Sequence, residues 1–67
     1  MTYELGRALT PRETEVMEEV ARGRTNGEIA KDLGMSLQTV KAHMNMIFRK
    51  IGVRNRVEAV LHHRGVQ

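Results

Sequence analysis

Gln38, Lys41, Asn45 and Arg49 follow one another at three- and four-residue intervals, the spacing that gathers side chains on one face of a helix. Counting about 100° per residue from Val40, Gln38, Ala42, Asn45 and Arg49 fall between roughly 140° and 200°, with Lys41 on the flank at about 100°. No Asp or Glu occurs from residue 33 to residue 57, so this face carries donors and no carboxylate. A merely solvated helix face normally mixes both signs. Ala42, being small, permits close approach, and Lys41 and Asn45 are side chains that hydrogen-bond purine edges in a DNA major groove. Arg49, Lys50, Arg54 and Arg56 follow directly and suit phosphates flanking such a groove.

Other chemistries find less support. His62 and His63 are adjacent, so they diverge by about 100° on a helix, and neither a thiol nor a carboxylate completes a metal site with His43. His43 falls between core and surface, where packing with one ring hydrogen bond is expected. Glu13, Glu15, Glu18 and Glu19 are expected to be capping and surface charge rather than a catalytic pair. Ser36 and Thr39 lack a base to activate them. The sequence therefore predicts no enzyme, no catalytic residue, no metal and no cofactor. Among the five methionines, Met46 alone is expected to be exposed.

The elements that must position these residues are legible as four helices. Thr10-Pro11-Arg12-Glu13 combines a capping hydroxyl, a proline at the first helical position and a carboxylate three residues on. It opens a helix over about residues 11–22, with Val16, Met17 and Val20 inward and Gly23 as the stop. Thr25 to Glu28 repeats the spacing and opens a short helix over 26–33, ended by Gly34. Ser36 caps a third helix, about 37–51, whose apolar stripe is Val40, Met44, Ile47 and Ile51. Asn55 to Glu58 is a third capping box, opening a helix that runs to about Arg64. The link Leu33-Gly34-Met35-Ser36 is too short for antiparallel packing and predicts a helix-turn-helix. The fold class is thus all-α, a four-helix helix-turn-helix domain over residues 9–65 behind a flexible lead-in at 1–8.

Sixty-seven residues allow one small core, and Tyr3 and Phe48 are its only aromatic candidates. The absence of cysteine removes disulfide staples and fits a reducing compartment. No signal peptide or bilayer-length apolar run is visible, so a cytoplasmic protein without membrane contact is expected. The net charge of +3 is uneven: residues 1–35 hold five Lys/Arg against seven Asp/Glu, and residues 36–67 hold six against one. The basic half is the one expected to meet a polyanion.

Leu9-Thr10-Pro11-Arg12-Glu13, Thr25-Asn26-Gly27-Glu28-Ile29-Ala30, Thr39-Val40-Lys41-Ala42-His43 and Lys50-Ile51-Gly52-Val53-Arg54-Asn55-Arg56 resemble the signature of LuxR/GerE-type regulators, in order and spacing. The resemblance spans about residues 9–62 and implies a sequence-specific transcription regulator, as in the output domains of response regulators and quorum-sensing regulators, reading DNA with its third helix. It implies base-reading positions at Lys41, Ala42 and Asn45. Backbone-contacting positions fall on Thr25, Asn26, Ser36, Gln38, Thr39, Arg49, Lys50 and Arg56, to which the basic turn adds Arg54. Gly27 and Met46 depart from the family's usual lysine and polar residue. The fourth helix is expected to pair with its twin through Val57, Leu61 and Arg64, giving a homodimer on a palindromic double-stranded site, with RNA polymerase as a further partner. The alternative is a helical interaction module that modulates another regulator through that same helix. Family members often carry a sensing domain ahead of this module, and the sequence reads as the module alone, free-standing or part of a larger regulator.

Overall fold

A computed structural model describes residues 6–65 and places four helices there: α1 (Pro11–Ala21), α2 (Asn26–Leu33), α3 (Leu37–Ile51) and α4 (Arg56–Arg64). No strand occurs among the described residues. The lead-in expected at residues 1–8 falls largely at 1–5, outside the described residues; Gly6, by contrast, donates its amide to the Lys50 carbonyl at 2.8 Å.

Each helix begins where a side chain can satisfy its free amides. Thr10 Oγ1 accepts from the Glu13 amide at 3.1 Å, and the Glu13 carboxylate accepts from the Thr10 amide at 2.8 Å. Thr25 and Glu28 make the same reciprocal pair at 3.1 and 2.8 Å. Ser36 caps α3 by accepting from the Thr39 amide. The box expected at α4 is offset. Asn55 accepts from the Glu58 amide as predicted, but Glu58 reaches back to the amide of Arg54, not of Asn55. The backbone differs there as well: Asn55 has φ −154°, against −69° to −75° at the other three caps.

α1 ends at Ala21, one residue earlier than expected, with Arg22 as its cap before Gly23 at φ +83°. At the α2–α3 turn Gly34 stands at φ +66°, ψ +39°, left-handed backbone in which a Cβ is strained. That one residue lets α3 start with only three residues between it and α2.

The core draws on all four helices: Val16, Met17 and Val20 from α1, Ile29 from α2, Val40, Met44 and Ile47 from α3, and Ala59 from α4. α1 and α3 each pack against the other three helices, so they form the frame on which α2 and α4 are set. Phe48 and Ile51 pack at its margin, half-buried. Long-range polar bonds tighten the frame. Arg12 donates to the Leu33 carbonyl at 2.6 Å, capping α2 from the start of α1. Lys50 at the end of α3 bonds Glu13 at 2.7 Å.

The acids of α1 do not all behave as solvated surface charge. Glu13 and Glu19 are buried, while Glu15 and Glu18 are exposed. Glu13 shares the stripe of Val16, Met17 and Val20 at intervals of three, four and seven, so the helical period itself carries it inward. Glu19 lies three residues beyond Val16, where Arg22 pairs one carboxylate oxygen at 3.1 Å and the other oxygen is buried without a partner among the described residues.

Candidate nucleic-acid interface

α3 shows the face on which the candidate site rests. Gln38, Thr39, Lys41, Ala42, Asn45 and Arg49 are all exposed, opposite the buried Val40, Met44 and Ile47. Among the described residues, no hydrogen bond or ion pair engages the side chains of Gln38, Lys41, Asn45 or Arg49. Their donors are therefore available to an outside acceptor. The nearest acids in sequence, Asp32 and Glu58, lie on other helices, and Asp32 is paired with Arg24 at 3.6 Å. Leu37, in the first turn of α3, is 46% exposed on this end of the helix. Periodicity alone places it inward, three residues before Val40 and seven before Met44, yet at the start of α3 the structure leaves it uncovered.

The flanking residues divide into three groups. Ser36 and Thr25 are exposed caps and Thr39 is exposed in the first turn of α3, with the Ser36 and Thr39 hydroxyls 2.9 Å apart. Arg54 is exposed, and no ion pair holds its side chain among the described residues. Asn26 and Arg56, expected as separate contacts, are brought together: Arg56 Nη1 donates to Asn26 Oδ1 at 3.0 Å, and Arg56 Nη2 donates to the Arg24 carbonyl.

Lys50, expected beside Arg49 as a phosphate contact, has a side chain only 10% exposed, and its ammonium sits on Glu13, itself 6% exposed at the side chain. Burial pushes the Glu13 carboxyl up, yet the hydrogen bonds from Lys50 and the Thr10 amide outweigh that and hold it below its ordinary value of 4.5. Lys50 is thus the counter-charge of a buried carboxylate. Releasing it to a phosphate would strand that charge.

Met46 is half-buried rather than exposed, and it shares a shoulder of α3 with the half-buried His43 and Lys50 at intervals of three and four. His62 and His63 are exposed on α4, and no group of three metal-ligating side chains occurs among the described residues.

α4 carries a second surface. Ala59 faces the core, whereas Val57 and Leu61 are 68% and 41% exposed. With Val20, Ala21, Val60 and the side chains of Arg22, Arg56 and Arg64 they border a shallow groove of about 340 Å³. Packing of the monomer alone does not cover these two residues. No described helix is long and apolar enough to cross a membrane.

Comparison with known proteins agrees with this geometry. Residues 7–63 match the family described as bacterial regulatory proteins, luxR family. The chain is 47% identical over 62 residues to the nitrate/nitrite response regulator protein NarP of Escherichia coli, covering 88% of this chain and 29% of that protein. It is 45% identical over 58 residues to the glycerol metabolism activator of Pseudomonas putida, with coverage of 87% and 26%. The transcriptional regulatory protein DesR of Bacillus subtilis is 43% identical over 58 residues, with coverage of 87% and 29%. The chain thus spans less than a third of the length of these relatives.

Proposed function

The chain belongs to the luxR family of bacterial regulatory proteins, and from that premise we propose that it is a sequence-specific double-stranded DNA-binding transcription regulator that lays α3 in the major groove. The observation that carries this reading is the exposed, acid-free face of α3 with Gln38, Lys41, Asn45 and Arg49 unengaged among the described residues. Lys41, Ala42 and Asn45 read bases. By donor and acceptor pattern, Lys41 suits guanine, Asn45 adenine, and Ala42 a thymine methyl. Thr25, Ser36, Gln38, Thr39, Arg49 and Arg54 hold the flanking phosphates. The chain works as a homodimer on a palindromic site, paired through Val57, Leu61 and Arg64, whose exposure supports such pairing. Its place of action is the cytoplasm, with the DNA.

A gel-shift titration at two salt concentrations tests the reading, because release of counterions from DNA makes true phosphate binding steeply salt-dependent. Binding to duplex that weakens sharply as salt rises is expected; salt-independent or absent binding overturns it. Selection of bound sites from random duplex then returns base preference and half-site spacing together.

The exposure of Val57 and Leu61 beside the α4 groove also favours a second reading, a module that pairs with another regulator and binds no DNA itself. That reading predicts heterodimers whose formation is unaffected by substitutions on the outer face of α3.

A further inference from the structure

Arg56 opens α4, but its side chain acts on the start of α2. Its guanidinium is half-buried and faces two neutral oxygens, Asn26 Oδ1 at 3.0 Å and the Arg24 carbonyl, with no carboxylate among its partners in the described residues. These oxygens bracket Thr25, the cap of α2. A guanidinium offers donors only, so the Asn26 amide must meet it with its oxygen. The amide nitrogen is thereby left pointing away from Arg56. A phosphate accepts and never donates, so an Asn26 held this way always presents it the useful end, whereas a free asparagine presents either.

We propose that Arg56 is a positioning residue for phosphate binding: it pins the Arg24 carbonyl and the Asn26 oxygen so that the start of α2 offers its amide donors to the DNA backbone. The inference rests on the DNA-binding reading above. It replaces two independent contacts, Asn26 and Arg56, by one contact and the group that aims it. Because Arg56 begins the helix that carries Val57 and Leu61, the same fork also ties the α4 surface to the phosphate-facing start of α2.

The test uses the full 67-residue chain and a short mixed-sequence duplex, since phosphate binding is indifferent to sequence. Thermal unfolding is measured beside affinity, so that loss of fold is separated from loss of grip. Arg56→Lys keeps the charge but cannot hold two acceptors in a planar fork. Arg56→Lys and Asn26→Ala are each expected to weaken binding by about tenfold, and the double variant no more than either alone. Asn26→Asp keeps an acceptor for Arg56 and removes the donor, so it is expected to melt like the unsubstituted chain while binding duplex at least as poorly as Asn26→Ala. Near-normal binding by Arg56→Lys, or losses that multiply in the double variant, would make Arg56 a direct phosphate contact and overturn the proposal. If the unsubstituted chain shows no salt-dependent binding, the DNA-binding reading itself falls, and this inference with it.

Discussion

Lys50 and Arg49 are neighbours of like charge with opposite tasks. Arg49 is exposed and unengaged among the described residues, while Lys50 is buried against Glu13. Removing one member of a buried pair leaves the other charged and unpartnered, so Lys50→Ala should lower stability by about 3 kcal/mol in denaturant titration. Its salt dependence of DNA binding, measured where the variant is folded, should match the unsubstituted chain. Arg49→Ala should do the reverse, leaving stability nearly unchanged and reducing the slope of log affinity against log salt by about one. Asn45 differs from both, because it is assigned to a base and not to the backbone. Asn45→Ala should cost about 1 to 3 kcal/mol on the preferred site and erase preference at a single base pair in selected sequences. An equal loss on every duplex would remove Asn45 from the reading set.

The helices are held by caps at their own ends and by polar bonds between them, and the two kinds respond differently to solution conditions. The Glu13–Lys50 bond, with the Thr10 amide on the same carboxylate oxygen, joins the start of α1 to the end of α3. The folded chain holds the Glu13 proton less tightly than the unfolded chain, since its carboxyl lies below 4.5 when folded. The stability it contributes is therefore fully present above pH 4.5 and lost as pH falls through the lower folded value. Glu13→Gln should begin less stable at neutral pH and lose less on acidification below pH 4.5. Thermal midpoints of both proteins across that window check this, and parallel curves would show that Glu13 contributes nothing to acid sensitivity. From the same end of α1, Arg12 bonds the Leu33 carbonyl, and with Gly34 it sets the turn from which α3 departs. The direction of the candidate reading helix thus depends on residues that touch no ligand.

At the scale of the whole molecule, charge and apolar exposure are segregated. The basic carboxyl-terminal half carries six Lys/Arg against one acid, but Lys50 is neutralised by an acid from the amino-terminal half. Of the other five, Lys41 and Arg49 lie on α3's outer face and Arg54 in the turn after it, while Arg56 and Arg64 border the α4 groove. The exposed apolar residues of α4 lie beside that groove, off α3's outer face. Pairing and DNA grip are therefore separable by mutation. Leu61→Glu should lower affinity for a duplex with two half-sites while leaving a single half-site nearly unchanged, read by gel shift and by sedimentation of the complex. Equal losses on both duplexes would place Leu61 in the monomer fold and not in a pairing surface.

Local chemistry settled much of this in advance. Helix starts, the inward stripe of α3 and its outward donor face depend on residues three or four apart, and at that range the backbone leaves few choices. The burial of Glu13 was not expected, since an acid was assigned to capping and surface charge, although it keeps the period of Val16, Met17 and Val20. The partners of Lys50, Arg56 and Arg12 were not legible, since they lie 37, 30 and 21 residues away in sequence. Long, flexible side chains can serve solvent, phosphate or a neighbouring helix equally well. The packing of α1, α2 and α4 around α3 decided among these, and in doing so turned Lys50 from a surface charge into a core counter-ion and joined Asn26 to Arg56.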